Sequence, residues 1–181
     1  MENNPTKSPV SNGNPALFKL IYTIAILMFF LPFIEIRCNG LPLAKATGIE
    51  LVLGTEIKPI NKIDRPTNTF DWIEHGKKRG PNIFALMAIG MALVGLGFSF
   101  SKLKQKLLLN FAIGALGVIT MTGLAIQLKT SLNDELKVQM EEGNANISLS
   151  FTAWFIFVFI CFIIITLVGW KHMKNNNANA T

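Results

Sequence analysis

Charge is what this chain has least of. Asp, Glu, Lys and Arg make up 15% of its 181 residues, against about 25% in an average soluble domain. Half of the residues are apolar and the mean hydropathy is +0.41. That balance leaves too little polar surface for an ordinary soluble globule and too much apolar content for a disordered chain. Cysteine is almost missing. Cys38 and Cys161 form no Cys-x-x-Cys pair, which argues against a disulfide scaffold and against a membrane thiol oxidoreductase. Histidine is as scarce: His75 and His172 sit in no ligand spacing. The chain carries no phosphate-binding loop, no Gly-x-Ser-x-Gly and no His-Glu-x-x-His. No nucleophile stands at a motif spacing from a base. The expectation is a protein that is not an enzyme and has no cofactor and no metal.

The apolar residues are gathered into four long blocks, at residues 17–36, 83–100, 107–128 and 151–170. A helix needs about 20 mainly apolar residues to cross a hydrocarbon core of roughly 30 Å, and all four blocks are near that length. None has a charge at its centre. Lys19 and Glu35 lie at the two ends of the first block, where long side chains reach the interface. That block has a polar lead-in and no small-residue cleavage site after it, so it reads as a retained span and not as a signal peptide. Between the second and third blocks, Lys102, Lys104 and Lys106 crowd a connection with no acid. Short lysine-rich connections favour the cytoplasmic side, which places both termini in the cytoplasm and the protein in the cell membrane. A raw count that includes Lys77-Lys78-Arg79 points the other way.

The expected fold is an all-α membrane protein, a four-transmembrane-helix bundle with a small extracytoplasmic antiparallel β cap. The membrane domain would span residues 16–172, with outer segments at 37–80 and 129–150. Tails at 1–15 and 173–181, rich in Asn, would be disordered. In the cap, Asn39-Gly40 stands between two alternating runs, which is a strong hairpin signal because both residues tolerate positive φ. Pro42 lacks an amide donor and marks an edge or a late strand start. Residues 49–53, flanked by Gly48 and Gly54, suit either a third strand or a short helical turn; periodicity cannot separate the two over five residues. A second hairpin is expected from alternation at 136–140 and 146–150 around Gly143-Asn144.

Leu31-Pro32-Phe33, Cys38-Asn39-Gly40 and Thr47-Gly48-Ile-Glu-Leu51-Val-Leu-Gly54 together resemble a segment of small bacterial four-span membrane proteins that have no assigned activity. That segment has a first span ending in Leu-Pro-Phe/Trp, a Cys-x-Gly turn and a Thr-Gly-x-x-Leu-x-x-Gly stretch. The resemblance covers about 24 residues and implies the fold and the location only. Pro32, Cys38, Asn39, Gly40, Gly48 and Gly54 are accordingly the candidate structural and interaction residues. The layout is also similar to that of claudin-type proteins, although their Gly-Leu-Trp followed by two extracellular cysteines is missing here.

Within the blocks, Asn110, Thr120, Thr122 and Gln127 make the third the most polar. Ala88, Ala92 and Gly95 share one face of the second, and Gly114 and Gly117 mark a face of the third. Such faces let helices approach closely where lipid removes the hydrophobic force. Cys38 and Cys161 would differ in depth by roughly 15 Å at 1.5 Å per residue, too far for a disulfide. A charge of +6 without a basic, aromatic-interleaved module does not indicate nucleic acid; lysines beside spans suit anionic lipid head groups. The functional expectation is a non-catalytic accessory or assembly partner whose contacts are membrane lipid, other membrane proteins or further copies of itself. The alternative is a small oligomeric channel or carrier with a path lined by the third span.

Overall fold

The computed structural model describes residues 15–38, 41–54, 58–59, 80–101, 106–140 and 147–178. In chain order the elements are α1 (Pro15–Met28), β1 (Pro32–Cys38), β2 (Leu41–Thr47), α2 (Gly48–Leu53), β3 (Lys58–Pro59), α3 (Ile83–Phe100), α4 (Lys106–Met140), β4 (Ile147–Phe151) and α5 (Ala153–Ala178). The protein is mostly helical. Stretches of α3, α4 and α5, at Ile83–Phe100, Leu107–Ser131 and Ala153–Lys174, are long and apolar enough to cross a membrane. The strands form one small antiparallel sheet in the order β3-β2-β1-β4, to which β3 contributes two residues.

The first apolar block is not one helix, as its composition suggested. Helix α1 ends at Met28, and the rest of the block becomes the turn at 29–31 and the strand β1. Pro32 is the reason: it has no amide to donate to Met28 and disfavours helical geometry at Leu31. The helix closes with tightened bonds from the amides of Phe29, Phe30 and Leu31 to the carbonyls of Ile26, Leu27 and Met28. Alternation in Phe33-Ile-Glu-Ile then takes over as a strand. The second block matches α3 residue for residue at Ile83–Phe100, because Asn82 caps it, its side-chain oxygen accepting from the amides of Phe84 and Ala85.

Two further expectations need correction. The alternation at 136–140 is helix, not strand: α4 runs 35 residues to Met140, about 52 Å. Leu, Glu, Lys, Gln and Met are all good helix formers, and no Gly or Pro interrupts them before Gly143. The strand at Ile147–Phe151 therefore pairs with β1 and not with residues 136–140. Similarly α5 continues to Ala178, so the expected disordered tail from 173 is helical over most of its length; no breaker follows Gly169. The turn residues Asn39, Gly40, Gly143 and Asn144, and the tail at 1–14, lie outside the described residues.

Neighbouring helices run antiparallel. The Lys19 ammonium stands 4.2 Å from the centroid of the Phe100 ring, pairing the start of α1 with the end of α3. At the opposite end Phe84, early in α3, lies where Gly123 of α4 leaves room for it. Phe111 and Trp170 meet with centroids 5.5 Å apart, joining the start of α4 to the late part of α5. The core contains Tyr22, Phe29, Phe33, Met121, Leu124, Phe162 and Ile165, all fully buried. Small residues make these contacts possible. Ala85, Ala88, Ala92 and Gly95 form the buried face of α3, and Gly117 seats the Phe162 ring of α5. Much of α5 faces outward with bulky apolar side chains, among them Ile156, Phe157, Ile160, Ile164 and Leu167.

Candidate functional site

At one end of the bundle, five segments far apart in sequence meet: the end of α1, the start of β1, helix α2, the cap of α3 and the start of α5. Backbone hydrogen bonds knit them together. The Gly48 amide donates to Leu31 O at 3.3 Å, Ile49 to Phe29 O at 2.9 Å, Asn82 to Leu51 O at 2.9 Å, and Thr152 to Phe33 O at 2.9 Å. The Thr152 hydroxyl also donates to the Pro32 carbonyl. Each bond uses a backbone group that has no partner in its own helix or strand end, which is how such groups are normally satisfied. Beneath them the Phe29, Phe33 and Phe155 rings pack in sequence, with centroids 4.9 and 5.7 Å apart.

Helix α2 is held in place by its own ends. Thr47 is the N-cap: its hydroxyl accepts from the Glu50 amide, and the Glu50 carboxylate accepts from the Thr47 amide at 2.8 Å. This reciprocal capping box decides the five residues that periodicity left open in favour of a helix. Gly54 ends it in left-handed geometry, φ 71° and ψ 39°, which a residue with a Cβ adopts only at a cost. Gly48 is buried for a different reason. A Cβ there would come within 2.8 Å of the Phe29 ring and 2.9 Å of both the Phe29 carbonyl oxygen and the Phe33 ring.

The sheet has two unlike faces. Glu35, Arg37 and Lys45 lie on one. The Glu35 carboxylate is 3.2 Å from the Arg37 guanidinium and 3.8 Å from the Lys45 ammonium. With both cations about half exposed, these pairs contribute little to stability and set the polarity of the surface instead. On the other face Ile34 is opposite Ala46 and Phe151, and Ile36 is opposite Ala44 and Leu149. Ile34, Ile36, Ala44 and Ala46 are buried.

The candidate residues divide accordingly. Pro32 opens β1 and receives the Thr152 bond. Cys38 closes β1 opposite Leu41 and Ile147. Gly48 and Gly54 bracket α2. The structure thus brings Pro32, Gly48 and Gly54 to one junction, with Cys38 at the far end of the same strand and Asn39 and Gly40 beyond the described residues. Cys161 is a free thiol within α5. Four residues of the junction were not singled out from the sequence. Thr47-x-x-Glu50 and Asn82 before an apolar run carry recognised capping signals. Thr152 carries none, since its partner is 120 residues away.

A second polar contact lies inside the bundle. The Tyr22 hydroxyl of α1 donates to Asn110 Oδ1 of α4 at 3.4 Å, and both residues are buried. The Thr120, Thr122 and Thr130 hydroxyls donate to carbonyls of α4 itself. Gln127 Oε1 is buried with no hydrogen-bond partner among the described residues. Among the described residues no group of three or more His, Cys, Asp or Glu side chains is placed to hold a metal ion. No protein-family model matches this chain, and no curated protein matches it.

Proposed function

We propose that this chain is a four-span integral protein of a cell membrane, with both termini cytoplasmic, and that it serves as a non-catalytic assembly partner through its extracytoplasmic cap. The observation that carries this reading is the junction itself. Four backbone bonds and the Thr152 hydroxyl fix the sheet and α2 to the ends of the helices, so a shaped surface is presented and not a loose loop. An interaction surface benefits from such rigidity because less ordering is lost on binding.

Helix α1 supplies the fourth crossing in this reading. Its 14 residues give about 21 Å of rise, short of the roughly 30 Å hydrocarbon core. The missing depth is made up by Phe29, Phe33 and the apolar face of the sheet, where Ile34, Ile36, Ala44 and Ala46 are buried. The alternative, a channel or carrier lined by the third span, draws its support from the polar residues of α4. Against it, the threonine hydroxyls are occupied by their own helix and Asn110 by Tyr22. The topology is tested by labelling single cysteines at positions 11, 105 and 144 in intact cells. Labelling is expected from outside at 144 only; labelling at 105 from outside refutes the orientation. Reconstituted liposomes that pass no ions or small solutes above background are expected, and protein-dependent flux would favour the channel.

A further inference from the structure

The two edges of the sheet are treated differently by the sequence. Strand β3 forms one edge with two residues, Lys58 and Pro59. A short edge carrying lysine and proline is guarded against further pairing. The other edge is β4, Ile147-Ser-Leu-Ser-Phe151. It is five residues long and has no charge, no proline and no glycine. Its register with β1 is continuous from Phe151 to Ile147, with no bulge to bend it away. Among the described residues β4 pairs with β1 alone, and no described strand lies along its second side. A second extended backbone can pair with such an edge along its whole length.

We infer that β4 is a self-pairing edge, through which a second copy of this chain docks antiparallel about Leu149. The sequence of the strand supports this partner. Its pattern is symmetric: apolar, Ser, apolar, Ser, apolar. Antiparallel pairing with itself places Leu149 opposite Leu149, Ser148 opposite Ser150 and Ile147 opposite Phe151. Like meets like at every position, and no charge meets its own sign, which is the condition for an isologous two-fold contact. The setting of the sheet is compatible with one membrane. Ile34, Ala46, Leu149 and Phe151 belong to or pack on the same core as the helices, while Arg37, Lys45 and Ser148 are exposed on the opposite face. The sheet lies face down on the bundle. The two-fold axis of an antiparallel edge pair is perpendicular to the sheet, hence along the bundle, and both copies keep the same orientation. Helix α5 begins two residues after β4 and exposes Trp154 and Phe157 in its first turns, extending the apolar rim near the pairing edge.

This inference rests on the reading of the cap as an interaction surface and names its partner. The structural rival is that α4, which rises past β4 and touches it, already covers the edge. Disulfide trapping separates the two. Full-length chains carrying Ser148→Cys or Ser150→Cys, each also Cys38→Ala and Cys161→Ala and bearing different tags, are co-expressed and their membranes mildly oxidised. Self-pairing about Leu149 is expected to give a mixed dimer at several times the yield of either variant alone, because only positions 148 and 150 face each other directly. Equal or no cross-linking in the mixed sample overturns it. Serine to cysteine is nearly isosteric, so these chains fold. As a second measurement, Ser148→Lys with Ser150→Lys sets like charges opposite one another. The purified protein is expected to change from dimer to monomer by light scattering while its helical circular dichroism is unchanged; a dimer that survives overturns the inference. Release of the wild-type chain from membranes by alkaline wash would refute the membrane assignment alone, since the trapping result reads the edge itself.

Discussion

Replacing Gly95 by alanine puts one methyl group where α1 and α3 touch. The new Cβ would lie 2.6 Å from the Tyr22 hydroxyl oxygen and closer still to ring carbons Cζ and Cε1. Ordinary carbon contacts need about 3.5 Å or more, so the ring must move by about an ångström. Tyr22 is fully buried and cannot swing into open space. Overpacking of this kind costs about 1–3 kcal/mol. The shift also strains the bond from Tyr22 to Asn110; an interhelical bond within a membrane protein contributes about 0.6 kcal/mol on average. Alanine returns up to about 1 kcal/mol through its better helix propensity. The net loss is about 1–3 kcal/mol, or a fall in melting temperature of roughly 2–12 °C at about 2–4 °C per kcal/mol for a chain of this size. The same helix contains its own controls. A Cβ at Gly90 or Gly97 meets nothing within 4 Å, so Gly90→Ala and Gly97→Ala should be neutral or stabilising by up to about 1 kcal/mol. Thermal unfolding of the three variants in one detergent is the assay. If Gly95→Ala melts no lower than Gly90→Ala, the packing of Tyr22 against α3 is wrong, and the argument for how α1 joins the bundle goes with it.

Thr47→Ala removes the cap of α2 and should cost about 1 kcal/mol, seen as faster amide exchange at Glu50 and its neighbours while the helices of the bundle are unchanged. Gly54→Val forces a β-branched residue to a φ of 71° and should destabilise by about 1–2 kcal/mol or more, whereas Gly54→Asn should be tolerated; equal melting temperatures for the two would contradict the left-handed cap. Thr152→Val keeps the shape of the side chain and deletes the bond to the Pro32 carbonyl, so a loss of about 1 kcal/mol and greater protease sensitivity of the cap are expected. Glu35→Gln should change stability by less than about 1 kcal/mol, measured by the same melting experiment, because its partners Arg37 and Lys45 are about half exposed.

Apolar length is a local property, and what depends on it was legible in the sequence. Three of the four blocks became long apolar helices, and α3 kept both expected ends because Asn82 caps it and no breaker interrupts it. The small faces at Ala88, Ala92, Gly95 and Gly117 were legible for the same reason, since helical spacing alone groups them. The strand character of Ile34 and Ile36 and the chain reversal near Asn39-Gly40 also follow from neighbours in sequence, and β1 does pair antiparallel with β2. Residues 49–53 stayed open between strand and helical turn by periodicity, and the Thr47–Glu50 capping box made 48–53 a helix. Tertiary structure decided the rest. A five-residue alternation at 136–140 is compatible with either element, and continuation of α4 resolved it. The partner of β4 is β1, more than 100 residues away, and nothing within either strand names the other. Thr152, Tyr22 and Asn110 owe their roles to contacts 88 to 120 residues distant. Such pairings become favourable only after the chain has closed its long loops, so they are a property of the assembled bundle and not of any segment of it.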